Sequence, residues 1–310
     1  MDSYKEFFRN TGSAVMGHIG AMAAVAMWGL SFVSTKVIME EGHLSPTEAY
    51  IYRFIIAYLI ILFIAHKRLF CDNWRDEGLM ALVGICAGSI YFIAENTALQ
   101  YTLTANVSLL TSTSPLITVL LVALIYRNEK LGAGLITGSC VAFVGVACVI
   151  FNSSTSVQIN PLGDLLAIGA SFSWAVYSLI LKRLNVTYDA MFITRKTFFY
   201  GIVTAIPFML FEPTLINPFH ALANPLVLGN LLFLALGASI CGYYLWALTV
   251  KKMGAVKANN YMYFQPVVTL IAGALALGEH ISMLGYAGFA LILFGLWLGD
   301  YLQRRLAMRK

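Results

Sequence analysis

The sequence predicts an all-α integral membrane protein with ten transmembrane helices arranged as two inverted five-helix repeats. Composition, ten apolar runs of membrane length, and a set of residues that recurs half a chain later carry this expectation. Of the 310 residues, 59% are hydrophobic and 11% charged, and the mean hydropathy is +0.77. Soluble domains carry about 25% charged residues. The formal charge of +5 would suggest nucleic acid in a soluble protein. Here the placement of the charges matters more than their sum, and no nucleic-acid partner is expected.

A hydrocarbon core of roughly 30 Å is crossed by about 20 apolar residues. Ten segments meet this requirement: 17–38, 47–66, 78–99, 105–126, 131–151, 162–182, 190–211, 226–250, 255–277 and 281–302. Residues 1–16 are polar and mixed, with no secretory leader evident. The longest connections are 67–77 and 212–225, the latter punctuated by three prolines, so no separate soluble domain fits between spans. The expected layout is a cytoplasmic segment 1–16, a first repeat 17–151, an external linker 152–161, a second repeat 162–302 and a basic cytoplasmic tail 303–310.

Ten spans place both termini on one side. Connections 39–46, 100–104, 152–161 and 212–225 contain no lysine or arginine. The opposite set holds Lys67, Arg68, Arg75, Arg127, Lys130, Lys182, Arg183, Lys251 and Lys252, with Lys5 and Arg9 near one terminus. Positive charge is retained on the cytoplasmic side, so both termini are expected there. Four of the five cysteines (Cys71, Cys86, Cys140, Cys148, Cys241) lie in apolar runs and none forms a CxxC pair. They read as small buried side chains, without a disulfide framework or a metal. His18, His43, His66, His220 and His280 all lie near span ends, without metal-ligand spacing.

The repeat emerges when Trp28 is set over Trp174. The stretch AMWGLSFVSTK (26–36) then meets SFSWAVYSLILK (171–182), and each has a lysine eight positions after its tryptophan, Lys36 and Lys182. Pro115 pairs with Pro266 and Thr118 with Thr269; Glu129 falls on Glu279, Gly138 on Gly288 and Gly145 on Gly295. Five spans repeat once, and because five is odd the second unit enters from the other side. Secondary transporters use such inverted repeats to place a binding site near the midplane.

The Trp-Gly-x-Ser segment at Trp28–Ser31, Arg53 early in the second span, and the duplicated proline helix followed by glutamate resemble the drug/metabolite transporter superfamily, EamA type. The resemblance covers about Gly17 to Leu302. It implies two five-helix bundles around a central cavity lined by spans 1, 3, 4, 6, 8 and 9. It also implies a bacterial inner-membrane carrier that exports small metabolites, including amino acids and some drugs.

Depth selects the candidates for that cavity. Trp28 lies roughly 16 Å into its helix, and Trp174 about as deep from the opposite side. Interfacial belts hold tryptophan at the headgroups, so the two either fill space between helices or wall a cavity. Ser31 and Thr35 share a face with Trp28, and Tyr177 and Ser178 flank Trp174. The fourth span presents Thr111, Ser114 and Thr118; the ninth presents Tyr261, Gln265 and Thr269. Hydroxyls of this kind either bond their own backbone or contact a solute. Pro115 and Pro266 each free a carbonyl, at Thr111 and Met262, which needs another donor in the bilayer. They are the candidate hinges.

Charges within spans are functional candidates. Glu95 shares a face with Tyr91, Gly84 and Gly88, and Tyr244 is its repeat partner. It reads as a proton-coupling carboxylate, a partner for a substrate amine, or a headgroup-level residue. Lys36 can pair with Glu40 at a helix end. Arg53 caps a helix or pairs with Glu48, and Lys257 with Asn259 and Asn260 lies near the cytoplasmic end. Gly134, Gly138, Gly295 and Gly299 mark close-packing faces that join either the two halves or two protomers; the chain is therefore read as a monomer or homodimer.

The expected substrate-binding set is Trp28, Ser31, Tyr91, Glu95, Thr111, Ser114, Trp174, Tyr177, Tyr244, Tyr261 and Gln265, with no cofactor. No P-loop occurs, so energy comes from a solute or proton gradient. The partners are a small-molecule substrate and the lipid bilayer. An integral-membrane lipid-modifying enzyme would need clustered acid/base or metal groups near one face; the charges here are scattered. The reading is a non-enzymatic secondary exporter of amino acids or related amphipathic metabolites, or a multidrug or other solute carrier of the same fold.

Overall fold

The computed structural model describes residues 2–101, 107, 110–125, 133–151, 160–211, 223–277 and 283–307. No strand occurs among them. In chain order the helices are α1 (Asp2–Glu40), α2 (Pro46–Ile64), α3 (Trp74–Gly84), α4 (Tyr91–Tyr101), α5 (Ser114–Ile125), α6 (Ala133–Phe151) and α7 (Pro161–Leu184). They continue with α8 (Ala190–Met209), α9 (Pro225–Leu232), α10 (Gly242–Met253), α11 (Ala255–Asn260), α12 (Gln265–Leu277) and α13 (Met283–Ala307). A π-helical segment, Ile85–Ile90, joins α3 to α4; another, Phe233–Cys241, joins α9 to α10; a 3-10 turn, Tyr261–Phe264, joins α11 to α12.

Among the described residues, five helical stretches are long and apolar enough to cross a membrane: Val15–Glu40, Pro46–Ile64, Trp74–Ala98, Pro161–Leu184 and Pro225–Met253. Shorter apolar helices occupy Ser114–Ile125, Ile136–Cys148 and Met283–Gly299. The outward surface is apolar, with Phe63 86% and Leu124 71% exposed. That distribution suits a lipid solvent.

Local chemistry explains the helix starts. Before α2, the Ser45 hydroxyl accepts from the Glu48 amide at 3.2 Å and the Glu48 carboxylate accepts from the Ser45 amide at 2.9 Å. This reciprocal cap satisfies two amides that the first turn cannot. Asn73 accepts from the Asp76 amide at 2.8 Å ahead of α3. Asp189 accepts from the Met191 amide at 2.9 Å ahead of α8.

The chain forms two compact units: residues 1–89 with 177–261, and residues 90–176 with 262–310. Both cut across the sequence repeats, because many close helix partners come from opposite halves of the chain. In the first unit α1 packs on α10, and α2 and α3 pack on α8. In the second, α6 packs along α13. At that crossing the backbones touch: a Cβ added to Gly138 would lie 2.5 Å from the Gly295 carbonyl oxygen, and one on Gly145 would lie 2.6 Å from that of Gly288. The glycine faces thus join the two repeats within one chain.

At three helix interruptions a side chain donates to a backbone carbonyl. Pro115 cannot donate to the Thr111 carbonyl, and the Ser171 hydroxyl on α7 donates to it at 2.9 Å. In the first π segment, the Ala87 carbonyl accepts from the Tyr243 hydroxyl. In the second, the Ala238 carbonyl accepts from the Trp28 indole nitrogen at 2.8 Å. The Arg53 guanidinium donates to the Ser239 hydroxyl beside it at 2.6 Å and is buried. The π segments lie in the third and eighth expected spans, which the repeat makes counterparts.

The connection between α2 and α3 is tied to the start of α8. Buried Arg195 donates to the carbonyls of Ala65 and Arg68. Lys196 and Tyr200 both donate to the Glu77 carboxylate, whose other oxygen accepts from the Cys71 amide at 2.8 Å. Tyr188 donates to Asp76 at 2.8 Å and accepts from the Asp72 amide at 3.2 Å. Burial, followed by the Glu77 carboxylate, pushes the Cys71 thiol up to about 11.

These contacts have measurable consequences. Gly138→Ala overpacks the α6–α13 crossing and lowers the melting temperature of the purified protein, at a cost of about 1–3 kcal/mol. Gly169→Ala, where an added Cβ meets nothing within 4 Å, leaves the melting temperature unchanged or raises it. Tyr243→Phe removes the donor to Ala87 and costs about 0.5–2 kcal/mol, whereas Tyr244→Phe is near neutral by the same denaturation assay. Because alkylation needs the thiolate, peptide-resolved mass spectrometry should find Cys71 alkylated slowly at pH 8, with the rate still climbing above pH 10.

Candidate functional site

The eleven expected substrate-binding residues divide between the compact units. Trp28, Ser31, Tyr177, Tyr244 and Tyr261 belong to the first; Tyr91, Glu95, Thr111, Ser114, Trp174 and Gln265 belong to the second, as do Pro115 and Pro266.

In the second unit, α4 carries Tyr91 and Glu95 one turn apart. The Tyr91 hydroxyl donates to the Glu95 carboxylate at 2.7 Å. Glu95 is only 6% exposed, so its carboxylate is enclosed by protein. The Tyr91 ring meets the Trp174 ring from α7 at 5.2 Å between centroids. A carboxylate, a phenol and an indole are therefore gathered between two helices. A buried carboxylate can accept from an ammonium group or take up a proton, and an indole face attracts cations and apolar groups.

The polar stripes on the proline helices are largely committed to their own backbone. Thr111 donates to the Val107 carbonyl at 2.9 Å, Thr118 to that of Ser114 at 2.8 Å, and Thr269 to that of Gln265 at 3.0 Å. Of these, Thr111 was expected to contact a solute; its hydroxyl proton instead serves its own helix. Ser114 is buried, and its hydroxyl has no protein partner among the described residues. Gln265 is buried at the start of α12, immediately before Pro266.

In the first unit, Trp28 is held by ring and backbone contacts. Besides its bond to Ala238 it lies against Trp246 at 5.2 Å and Tyr243 at 5.8 Å. A Cβ on Gly242 would come within 2.7 Å of the Trp28 indole nitrogen, so this glycine admits the ring. Ser31 donates back to the Trp28 carbonyl at 2.8 Å. Tyr177 is fully buried near Tyr243, and Tyr244 is half-buried. Tyr261 bonds through its hydroxyl to His18. Exposed Lys36 pairs with Glu40 at 3.7 Å, and buried Asn259 donates to the Ala255 carbonyl at 2.9 Å.

Glu129, Glu279, Arg127, Lys130, His220 and His280 lie outside the described residues. Among those described, no group of three or more His, Cys, Asp or Glu side chains is arranged to hold a metal ion. Sequence reasoning passed over Arg195, Lys196 and Glu77, although two adjacent cations in an apolar run were a visible signal. It also weighed Tyr244, whereas its neighbour Tyr243 holds the π-segment carbonyl.

Comparison with known proteins bears on the function. A probable amino-acid metabolite efflux pump of Salmonella typhimurium is 26% identical, over 91% of this chain and 93% of that protein. The pump of the same description from Escherichia coli is 25% identical over 91% and 93%. An uncharacterized transporter of Archaeoglobus fulgidus is 27% identical over 88% of this chain and 95% of its own length. A crystal structure at 20% identity shares the fold, with a TM-score of 0.74 over 96% of this chain and 99% of the other. Residues 15–151 and 161–298 each match the EamA-like transporter family. Matched twice, by both halves of its sequence, this multi-pass membrane protein belongs to the EamA-like transporter family.

Proposed function

We propose that the protein is a secondary exporter of amino acids or related amphipathic metabolites, working by alternating access across the inner membrane. The observation that carries this reading is the similarity, along nearly the whole chain, to two proteins described as probable amino-acid metabolite efflux pumps. The buried Tyr91–Glu95 pair beside Trp174 supports it chemically. An amine would bind the carboxylate, and an apolar side chain would lie on the indole. In this reading Glu95 is also the group that exchanges protons, and Ser114 and Gln265 supply further polar contacts in the same unit.

The proposal extends to ten spans in repeats 17–151 and 162–302, the second inverted. Both termini lie in the cytoplasm, on the evidence of where lysine and arginine fall. Pro115 and Pro266 are the flexing points, and the Ser171 hydroxyl on the Thr111 carbonyl holds the first of them in the conformation described above.

Proteoliposomes loaded with labelled amino acids, with and without a pH gradient, test the proposal. Efflux of at least one amino acid above protein-free vesicles is expected. Glu95→Gln should reduce it at least tenfold and flatten its pH dependence, while Trp174→Ala raises the half-saturating concentration. An unchanged pH profile in Glu95→Gln would remove Glu95 from coupling. Failure of all amino acids while other amphipathic solutes move would reassign the substrate class.

A further inference from the structure

The connections α2–α3 and α7–α8 hold none of the residues proposed above to contact the solute. A recess of about 210 Å³ opens there, lined by Ile64, Ala65, Lys67, Arg68, Asp189, Met191 and Phe192. Its floor is rigid. Arg195 holds the backbone at Ala65 and Arg68, and the Arg68 guanidinium lies over the rings of Tyr188 at 4.8 Å and Phe192 at 5.3 Å. Arg68 also pairs with Asp72, and Asp189 caps α8. The Lys67 ammonium is exposed and pairs with no carboxylate among the described residues. Its apolar rim includes Ile64, 60% exposed; nearby along the chain, Phe63 is 86%, Phe70 69% and Trp74 89% exposed.

We propose that this recess binds the headgroup of an anionic phospholipid. The chemistry of rim and floor selects that occupant. An unspent ammonium beside a half-exposed guanidinium attracts a phosphodiester. The apolar rim, which water would penalise, fits against acyl chains, and Trp74 has the amphipathic ring that settles at the headgroup level. A soluble anion would use the cations and leave the rim uncovered. The orientation proposed above puts the site in the cytoplasmic leaflet; headgroup selectivity itself does not depend on that assignment or on the transported solute.

Native mass spectrometry of the purified protein in detergent, titrated with phosphatidylglycerol or phosphatidylcholine, tests the site. Phosphatidylglycerol should be retained preferentially. Lys67→Gln, which disturbs no contact described here, should weaken that retention about fivefold, the worth of one cation near an anionic surface. Asp189→Asn keeps a good helix cap while removing the one negative charge in the recess, and should strengthen retention. Equal retention of the two lipids, or retention unchanged in Lys67→Gln, would overturn the proposal. So would competition by glycerol 3-phosphate at the same concentration as the lipid, since the headgroup alone would then suffice.

Discussion

A backbone carbonyl inside a bilayer has no water to turn to, and this constraint organises the molecule. An unbroken helix satisfies it by itself. The chain departs from the α-helix in both π segments and at Pro115, and at each departure a side chain from elsewhere donates to a backbone carbonyl: Tyr243 at Ala87, Trp28 at Ala238, Ser171 at Thr111. The donors are therefore structural parts of the helices they touch. The Trp28 indole N–H, which the sequence alone left without an assigned partner, is spent on an irregular helix.

The same interruptions set where movement is inexpensive. A π segment or a proline turn has already lost the regular ladder, so changing its angle breaks fewer bonds than bending an intact helix. Elsewhere each unit has its own dense set of contacts: the Arg195 and Lys196 anchors around Glu77 in the first, and the glycine crossing of α6 with α13 in the second.

Much of the architecture was legible in the sequence because it follows from one-dimensional rules. Apolar runs, proline positions and the duplicated tryptophan, proline and glycine signatures require no knowledge of contacts. Even the need for a donor to the Thr111 carbonyl could be anticipated, though not that Ser171 would supply it. What stayed hidden depends on pairing between distant segments. The π segments carry no composition of their own, since an extra residue in a helical turn is stabilised by neighbours such as Tyr243. The burial of Glu95 could not be read by counting residues, because it depends on how α4 meets α7. Arg195 and Lys196 were visible as letters, but their partners lie about 120 to 130 residues earlier in the chain.

The glycine crossing bears on how the protein is made. The ribosome completes α6 when less than half of the chain exists, yet the partner whose backbone it touches, α13, is the last helix described. Until that helix enters the bilayer, α6 presents to lipid a face of small residues shaped for another helix. Biogenesis must therefore carry an unfinished surface through the insertion of every intervening segment. A chain stalled or cut before Met283 would lack its closing piece, and membrane quality control could recognise that exposed glycine face.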